Sequence, residues 1–292
     1  MTRKLLLCVV LFGSTACNAG VINFGNIVFI GDSITEGANY RPDGNGNYSW
    51  RYSFWKDMID HGDSFAFVGS RTSNYSGTVN YPVYQGFNFE NRHEAVWGTT
   101  SFERATTLAG GYGDLNGDGS NLAADTAFVL LGSNDASNPS NTLTSIRDQF
   151  QTIVNGLQNA NPNVNINLIS VLPRFINDTN GDGFADSPYS RNSEYAALNV
   201  LLADLAVSQT NATSNVNFVD VASQMTPQLY YDGLHPNGAG EILVGDFVYN
   251  NAINSMAAVP EPSSVFLLLG VSIGFGFVHR KTTRKVVTKV DR

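Results

Sequence analysis

The sequence predicts an α/β fold in which a parallel sheet is covered by helices on both faces. Short apolar runs bounded by turn residues alternate with segments that carry apolar residues at helical spacing. Some of these runs are too uniformly apolar for a sheet that leaves one face in water. Strands that alternate with helices form parallel sheets, so we expect one domain of about 240 residues.

The predicted elements follow one another in a regular order. The strands are apolar runs that end at turn residues, and they cover 27–30, 65–68, 127–131, 166–171 and 216–221. The helices show apolar residues on one face, and they cover 50–59, 145–157, 193–208 and 238–253. Loops rich in Asn, Gly and Ser, 38–49 and 71–88, interrupt this pattern. Loops at strand ends are where such folds place their functional residues.

The first 19 residues have the layout of a secretory signal peptide. Two basic residues precede an apolar run, and small residues follow it, with cleavage expected after Ala16 or Ala19. A lipoprotein site at Cys17 is the alternative. The two cysteines of the chain, Cys8 and Cys17, lie in or beside this signal, so the exported body has no disulfide framework.

The other end, 259–292, has the layout of a sorting tail. Pro-Glu-Pro is followed by an apolar run over 265–278 and then by a basic cluster. The run is shorter than the roughly 20 residues of a membrane span. This order resembles the PEP-CTERM tail of Gram-negative bacteria, which implies an exosortase-type partner, removal of the tail, and delivery to the cell surface, the extracellular matrix or the medium. The alternative is an ordinary C-terminal transmembrane anchor. In both cases we expect the protein to contact the membrane through the tail.

The body between these ends, 20–258, is strongly acidic. It holds nine Lys and Arg against 23 Asp and Glu, a net charge of −14. A surface of this sign repels a phosphate backbone, so nucleic acid is excluded as a partner. Calcium or a neutral substrate suits it better.

The stretch NIVFIGDSITEG raises the question of what Ser33 does. It stands where a strand gives way to a helix, and with Glu36 it fits the S-x-x-E capping box. It is also a candidate nucleophile, which needs a base and a group that orients the base. Of the histidines, His93 and His235 remain as candidates, and Asp232 stands three residues before His235. The alternative for Asp232 is a simple turn with the glycine that follows it.

A serine that transfers acyl groups also needs hydrogen-bond donors for the developing oxyanion. Asn134 follows the apolar run 127–131 in the sequence GSND, and its side-chain amide is a suitable donor. A backbone amide of Gly98 is a second candidate, with Gly86 as its rival. The alternative for GSND is an ordinary turn that ends a strand.

These motifs, in this order, resemble those of the SGNH or GDSL-type hydrolases over roughly residues 26–250. The resemblance implies a flavodoxin-like three-layer α/β/α fold and catalysis without a cofactor. It implies that Ser33 is the nucleophile, His235 the general base and Asp232 the orienting acid. It also implies an oxyanion hole formed by the backbone amides of Ser33 and Gly98 and the side chain of Asn134.

The stretch HEAVWG, 93–98, resembles the secreted carbohydrate esterases of family three, although it departs from their pattern at Ala95. That resemblance implies removal of acetyl groups from xylan or related polysaccharides. Tyr48, Trp50 and Tyr52 are candidates for stacking on sugar rings, or else core residues. The alternatives are a lipolytic esterase or lysophospholipase of the same fold, and a non-catalytic calcium-binding protein of the surface or matrix.

Two inserted loops, 114–125 and 178–186, both read D-x-N-G-D-G. Oxygen ligands at positions 1, 3 and 5 with glycine at 6 are typical of calcium loops, and a solvated turn is the alternative. The sequence therefore predicts Ca²⁺ as a structural ion. Its predicted ligands are Asp114, Asn116, Asp118 and Asp125 in the first loop, and Asp178, Asn180, Asp182 and Asp186 in the second.

Overall fold

A parallel sheet covered by helices forms the centre of the computed structural model, which describes residues 20–38, 48–108 and 110–257. The strands are β1 (Asn23–Gly31), β2 (Ser64–Val68), β3 (Glu94–Ala95), β4 (Thr126–Leu130), β5 (Asn165–Ile169), β6 (Phe175–Ile176), β7 (Ser187–Pro188) and β8 (Val216–Val219). The helices are α1 (Ser33–Glu36), α2 (Trp50–His61), α3 (Ser101–Arg104), α4 (Ser133–Ser137), α5 (Leu143–Ala160), α6 (Asn192–Gln209) and α7 (Gly238–Ala257). The α/β fold predicted from the sequence is confirmed.

The order of the strands decides where a site can form. The main sheet runs β2-β1-β4-β5-β8 with every neighbouring pair parallel, and the short β3 pairs with the end of β1. The chain moves from β1 to one side for β2 and to the other side for β4, so the strand order switches between β1 and β4. Open sheets of this kind bind ligands at the carboxyl ends of the strands beside such a switch. The β6–β7 pair forms a separate antiparallel hairpin.

One face of the sheet is covered by an aromatic cluster that α2 and α7 complete. Phe29 on β1 pairs with Phe128 on β4, and their rings stack at 5.5 Å. Trp50 and Phe54 of α2 meet Phe29 edge-on at 5.3 and 5.7 Å, and Tyr249 of α7 packs on Phe54. Each fully buried aromatic side chain contributes about 1.5–3 kcal/mol through the hydrophobic effect.

The opposite face carries the aliphatic core. Because side chains alternate along a strand, the neighbours of Phe29 and Phe128 point away from the aromatic cluster. Val28 and Val129 are fully buried there, and they belong to one cluster with residues of α5 and α6. The main members from the two helices are Ile146, Phe150, Ile153, Val154, Leu198, Leu202 and Leu205.

The aromatic residues at the start of α2 serve the core. Trp50 is fully buried and Tyr52 is 7% exposed. The Trp50 ring donates through Nε1 to Thr35 Oγ1 at 3.3 Å, and Tyr48 packs on Tyr52 at 5.1 Å. Trp50 and Tyr52 are therefore unavailable to stack on a sugar, and of the two alternatives predicted for them the core is correct.

Two carboxyl groups face each other between α2 and α7. Asp57 lies beside Asp246, and Ser53 donates to Asp246 Oδ1 at 2.8 Å. Burial, and then repulsion by Asp246, raise the pKa of Asp57 to about 7. A carboxyl group whose pKa is raised by folding binds its proton more tightly in the folded state. The stability it contributes is complete below its unfolded value of 3.8 and is lost as the pH rises through about 7.

We expect Asp57→Asn to raise the melting temperature at pH 8 and to change it little at pH 5. The amide resembles the protonated acid, so it removes the repulsion that wild type suffers above neutral pH. Thermal unfolding at the two pH values measures this difference. Asp148→Asn, on the exposed surface of α5, is the matched control. An equal effect of Asp57→Asn at both pH values would contradict the prediction.

Candidate active site

Ser33 stands at the turn between β1 and α1. Asp32 is the N-cap of α1, and its Oδ1 accepts the Ile34 N–H at 3.0 Å. The predicted capping box of Ser33 with Glu36 is therefore wrong, because Asp32 supplies the cap and leaves the Ser33 hydroxyl free for another partner. A Cβ on Gly31 would overlap the Thr35 side chain and lie 3.0 Å from the Leu130 carbonyl oxygen. Glycine at this position lets the strand end fit beside the helix start.

Three side chains from two distant parts of the sequence form a continuous hydrogen-bonded relay. The Ser33 hydroxyl lies 2.9 Å from His235 Nε2, and His235 Nδ1 lies 2.7 Å from Asp232 Oδ2. Ser33 and His235 are 6% and 7% exposed. The imidazole thus stands between an alcohol and a carboxylate, which is the arrangement that a general base of a serine hydrolase requires.

The loop that carries Asp232 is held by its backbone. Asp232 Oδ1 accepts the N–H groups of Leu234 and His235, at 2.9 and 2.7 Å. Gly233 has a φ of +77°, and a Cβ there would collide with the carbonyl group of Phe175 on β6. The Phe175 N–H donates back to the Gly233 carbonyl at 2.7 Å. The β6–β7 hairpin therefore packs against the loop that carries Asp232 and holds its backbone in place.

The Asp232 carboxyl group is partly exposed, with 41% of its side chain accessible. Burial by itself would raise its pKa, but the hydrogen bond to the His235 ring and the charge of that ring outweigh burial. The pKa of Asp232 is therefore held below its ordinary value. Asp232 stays ionised at neutral pH and can accept the Nδ1–H of the imidazole.

His93, the other candidate base, has a structural environment. Its Nε2 lies 3.0 Å from the Ser73 carbonyl oxygen, and its Nδ1 accepts the Ala95 N–H at 3.1 Å. The ring is fully buried, and burial lowers its pKa well below the ordinary value. His93 is a neutral imidazole that holds the loop after β2 to β3.

Asn134 and Gly98 lie on adjoining loops. Asn134 is in α4, directly after β4, and its Nδ2 donates to the Thr99 carbonyl oxygen at 2.8 Å. Thr99 donates its own N–H to the Val96 carbonyl and closes a turn in which Gly98 has a φ of +74°. An amide nitrogen carries two hydrogens, so Asn134 keeps a second N–H for a ligand. The hydrogen bond to Thr99 therefore holds the Asn134 side chain beside the turn that contains Gly98.

Gly86, the rival of Gly98, belongs to a different region. It lies in a turn closed by paired hydrogen bonds between Tyr84 and Phe87. The Tyr84 hydroxyl contacts the Asp60 carboxylate of α2 at 2.9 Å. These contacts fix the Gly86 turn against α2.

Two further acidic residues, for which the sequence indicated no role in the site, position its loops. The buried Asp135 carboxylate accepts the Ser101 N–H at 2.9 Å and the Ser101 hydroxyl at 2.7 Å, and burial raises its pKa. Thr100 and Glu103 form a true capping box at the start of α3. The sequence TSFE carries this signal and could have revealed the helix start.

Asp32, the residue before Ser33, is buried and only 1% exposed. Burial raises its pKa to about 7, repulsion by Asp135 adds to this, and the nearby His235 ring opposes it. Its Oδ2 has no hydrogen-bond partner among the described residues. A carboxyl group in this environment is partly protonated at neutral pH, so it adds less negative charge near Ser33 than its formula suggests.

Two aromatic rings lie near-parallel to the His235 imidazole. The Trp97 ring stacks on it at a centroid distance of 4.7 Å, and Tyr231 lies near-parallel at 5.7 Å. Tyr75 stacks on the Trp97 ring at 4.4 Å. Sequence reasoning missed these residues because each adjoins a site motif without any pattern that predicts mutual contact.

The predicted calcium ligands do not converge in either loop. Among residues 20–38, 48–108 and 110–257, no three His, Cys, Asp or Glu side chains form a group that could hold a metal ion. In the first loop, Asn116 accepts the Gly69 N–H, and Asp125 accepts the Asn26 N–H of β1 at 2.8 Å. Asp114 and Asp118 accept N–H groups of their own loop.

The second loop shows the same pattern. Asp178 accepts the N–H groups of Gly181 and Gly183 at 2.7 and 2.9 Å, and Asp186 accepts the Thr179 hydroxyl. Asn180 and Asp182 bond to each other and to neighbouring backbone. In this structure the predicted ligands of both loops accept hydrogen bonds from backbone N–H or side-chain groups.

The predicted signal peptide, 1–19, and the whole of the predicted tail, 259–292, lie outside the described residues. The transmembrane alternative for the tail falls on the same segment. Within the part of the chain that the structure describes, none of the helices combines the length and apolar character needed to span a bilayer.

Comparison with known proteins assigns both the body and the tail. Residues 27–248 match the GDSL-like Lipase/Acylhydrolase family model, and residues 258–281 match the PEP-CTERM protein-sorting motif. The motif implies export through an exosortase in Gram-negative bacteria. A search of curated proteins found no match.

Solved structures show the same fold. A carbohydrate esterase family 3 protein from Talaromyces cellulolyticus is similar with a TM-score of 0.61 and 24% identity, over 80% of this chain and 99% of that chain. A mutant acetyl esterase with an acetate ion has a TM-score of 0.61 and 23% identity, over 80% and 99%. A Clostridium thermocellum family 3 carbohydrate esterase has a TM-score of 0.56 and 20% identity, over 81% and 100%.

The family model covers well over half of the chain, from β1 into α7. The solved structures are similar over the same body and establish the flavodoxin-like α/β arrangement. The chain therefore belongs to the GDSL-like lipase/acylhydrolase family and is an ester-hydrolysing serine hydrolase.

Proposed function

We propose that this hydrolase removes acetyl groups from esterified polysaccharide, with Ser33 as nucleophile, His235 as general base and Asp232 as the orienting acid. The observation that carries the assignment of roles is the relay itself, with 2.9 Å from Ser33 Oγ to His235 Nε2 and 2.7 Å from His235 Nδ1 to Asp232. These distances are within hydrogen-bond reach for proton transfer.

In the first half-reaction Ser33 Oγ bonds to the carbonyl carbon of the ester. The Oγ proton passes to His235 Nε2, and the electron pair of the carbonyl double bond moves to its oxygen. This oxyanion is stabilised by the second Nδ2–H of Asn134 and the backbone N–H groups of Ser33 and Gly98. The protonated His235 then gives its proton to the leaving sugar oxygen as the ester C–O bond breaks, and the acetyl group remains on Ser33.

Water repeats the sequence in the second half-reaction. His235 takes a proton from water as the water oxygen attacks the acetyl carbon, and it returns that proton to Ser33 Oγ as acetic acid leaves and ionises to acetate in solution. Asp232 stays ionised throughout, because the His235 hydrogen bond and charge hold its pKa low. It keeps the proton of neutral His235 on Nδ1 and so leaves Nε2 able to accept one.

Two observations support an acetyl ester of a polysaccharide as substrate. The similar structures include family 3 carbohydrate esterases and an acetyl esterase with acetate. The body carries a net charge of −14, which suits a neutral polymer better than a polyanion.

The test is acetate release from a panel of acetylated polysaccharides, compared with hydrolysis of nitrophenyl esters of increasing chain length and of a lysophospholipid. We expect release from acetylated xylan or a related polymer and a preference for acetyl over long acyl chains. Preference for long chains or the lysophospholipid would favour the lipolytic alternative. Absence of all hydrolysis would favour the non-catalytic calcium-binding alternative.

Structural calcium at the loops 114–125 and 178–186 stays a prediction from the sequence. A cation would have to draw together carboxylates that the structure engages with backbone N–H groups. If calcium binds, a chelator lowers the melting temperature and added calcium restores it, because an ion bound by the folded state stabilises it. A melting temperature that ignores both additions would leave the loops as hydrogen-bonded turns.

We infer the following organisation for the precursor: a signal peptide over 1–19, a hydrolase domain over 20–258 and a sorting tail over 259–292. The match to the sorting motif over 258–281 supports the position of the tail. With an exosortase-type partner the mature enzyme reaches the cell surface, the matrix or the medium. Mass spectrometry of the exported protein tests both predicted cleavages.

A further inference from the structure

Two aromatic rings lie near-parallel to the His235 imidazole. Trp97 has 20° between the planes at a centroid distance of 4.7 Å, and Tyr231 has 17° at 5.7 Å. Aromatic pairs favour either edge-to-face or offset-stacked arrangements, and both of these pairs are of the stacked kind. The candidate base is therefore stacked on Trp97 and near-parallel to Tyr231, while its nitrogens face Ser33 and Asp232.

A buried carboxylate holds the backbone of Trp97 in place. Its backbone N–H donates to the Glu36 side chain, which is 1% exposed and also accepts from Arg71 at 2.9 Å. Its indole ring is packed on its other face by Tyr75, whose N–H donates to the Gly37 carbonyl at 3.0 Å. The ring position is thus fixed through α1, the helix that also carries Ser33.

Trp97 also directly precedes Gly98. Trp97 therefore links the loop that bears Gly98, a proposed oxyanion donor, to the His235 ring that accepts the proton. A shift of Trp97 would move both parts of the machinery, so its placement couples them.

The reaction gives the imidazole a positive charge whenever it takes the proton of Ser33. A cation within about 6 Å of an aromatic centroid is attracted by the negative face of the ring, most strongly by tryptophan. Among the described residues, the charged groups near His235 are Asp232 at Nδ1, Asp32 next to Ser33, and the Glu36–Arg71 pair at the Trp97 backbone. Burial raises the pKa of Asp32, and Glu36 is paired with Arg71, so Asp232 and the stacked aromatic rings are the groups best placed to stabilise the charge.

We propose that Trp97, assisted by Tyr231, is a positioning residue that holds the His235 ring in line between Asp232 and Ser33 and stabilises its protonated form by cation–π interaction. This inference rests on the proposed roles of Ser33 and His235. It assigns to two aromatic residues outside the triad a share of the transition-state charge stabilisation.

The test compares Trp97→Leu with Trp97→Phe on p-nitrophenyl acetate across the pH range. Leucine keeps apolar bulk and loses the π-face, so we expect kcat/KM to fall about tenfold, with most of the loss in kcat. We also expect the acidic limb of the pH–rate profile to move to lower pH by up to about one unit, because the protonated ring is less stabilised. Phenylalanine restores most of both properties. Phe87→Leu, at an exposed turn, is the matched control.

The result that overturns the inference is a Trp97→Leu enzyme whose acidic limb stays in place, or one that behaves like Trp97→Phe. If Trp97→Leu fails to fold, Tyr231→Leu tests the second ring, with the same direction and a smaller shift at its longer distance. Ser33→Ala is measured alongside. Loss of activity in Ser33→Ala with an unmoved limb in both aromatic variants rejects the inference alone, whereas retained activity in Ser33→Ala rejects the proposed function.

Discussion

Ser33→Ala is expected to lower kcat/KM for p-nitrophenyl acetate by about 10⁴-fold or more while the protein stays folded. The substitution removes the oxygen that forms the acyl-enzyme, and no other hydroxyl group is hydrogen-bonded to His235 Nε2 among the described residues. The cost to stability is small, since one hydrogen bond of about 1 kcal/mol is lost and alanine suits a helix start. Steady-state kinetics and thermal unfolding measure the two effects.

The matched control is Ser208→Ala, which removes a hydroxyl from the exposed surface of α6. It should leave both the rate and the melting temperature unchanged. A Ser33→Ala protein that hydrolyses the ester at the wild-type rate would remove Ser33 from the mechanism. A second nucleophile would then have to be sought outside the relay.

Asn134→Ala is expected to lower kcat by about 10²–10³-fold with little change in KM. The Asn134 amide donates one N–H to Thr99 at 2.8 Å and keeps the other for the oxyanion. Since the negative charge on the substrate oxygen develops only in the transition state, the loss falls on kcat. The change also leaves the Thr99 carbonyl without this donor, so the melting temperature is measured in parallel.

Asn138→Ala is the control for this substitution. Asn138 is the exposed C-cap residue of the same short helix, and its side chain accepts the nearby Ser140 N–H. It should retain normal kcat. If Asn134→Ala raises KM and leaves kcat intact, Asn134 contributes to ground-state binding and the oxyanion assignment is wrong.

The elements of the fold could be predicted because their signal is local. The apolar run 27–30 and the helical spacing of 145–157 each identify a surface that must be buried, whichever layer of the fold covers it. The five strands and four helices expected from such patterns all appear, with boundaries that differ by a few residues. The antiparallel β6–β7 hairpin was missed because two-residue strands carry no periodicity.

Other features depended on competition between neighbours, which a pattern does not weigh. Ser33 and Asp32 both offer an N-cap oxygen, and in the structure Asp32 takes that position. The carboxylates of the D-x-N-G-D-G loops can bind a cation and can also accept backbone N–H groups, and in the structure they accept N–H groups. The sequence pattern by itself does not distinguish a calcium loop from a hydrogen-bonded turn.

By itself the sequence determined the layered α/β architecture, the family and the order of the motifs, because hydrophobic periodicity and short motifs are properties of contiguous residues. Only the tertiary structure decided that Ser33 meets His235 across 202 residues, that His93 is buried as a structural ring, and that Trp97 covers the imidazole. Contacts of this kind arise when separate loops converge at the carboxyl ends of β1 and β4. The distance between two side chains is set there by the packing of every layer beneath them.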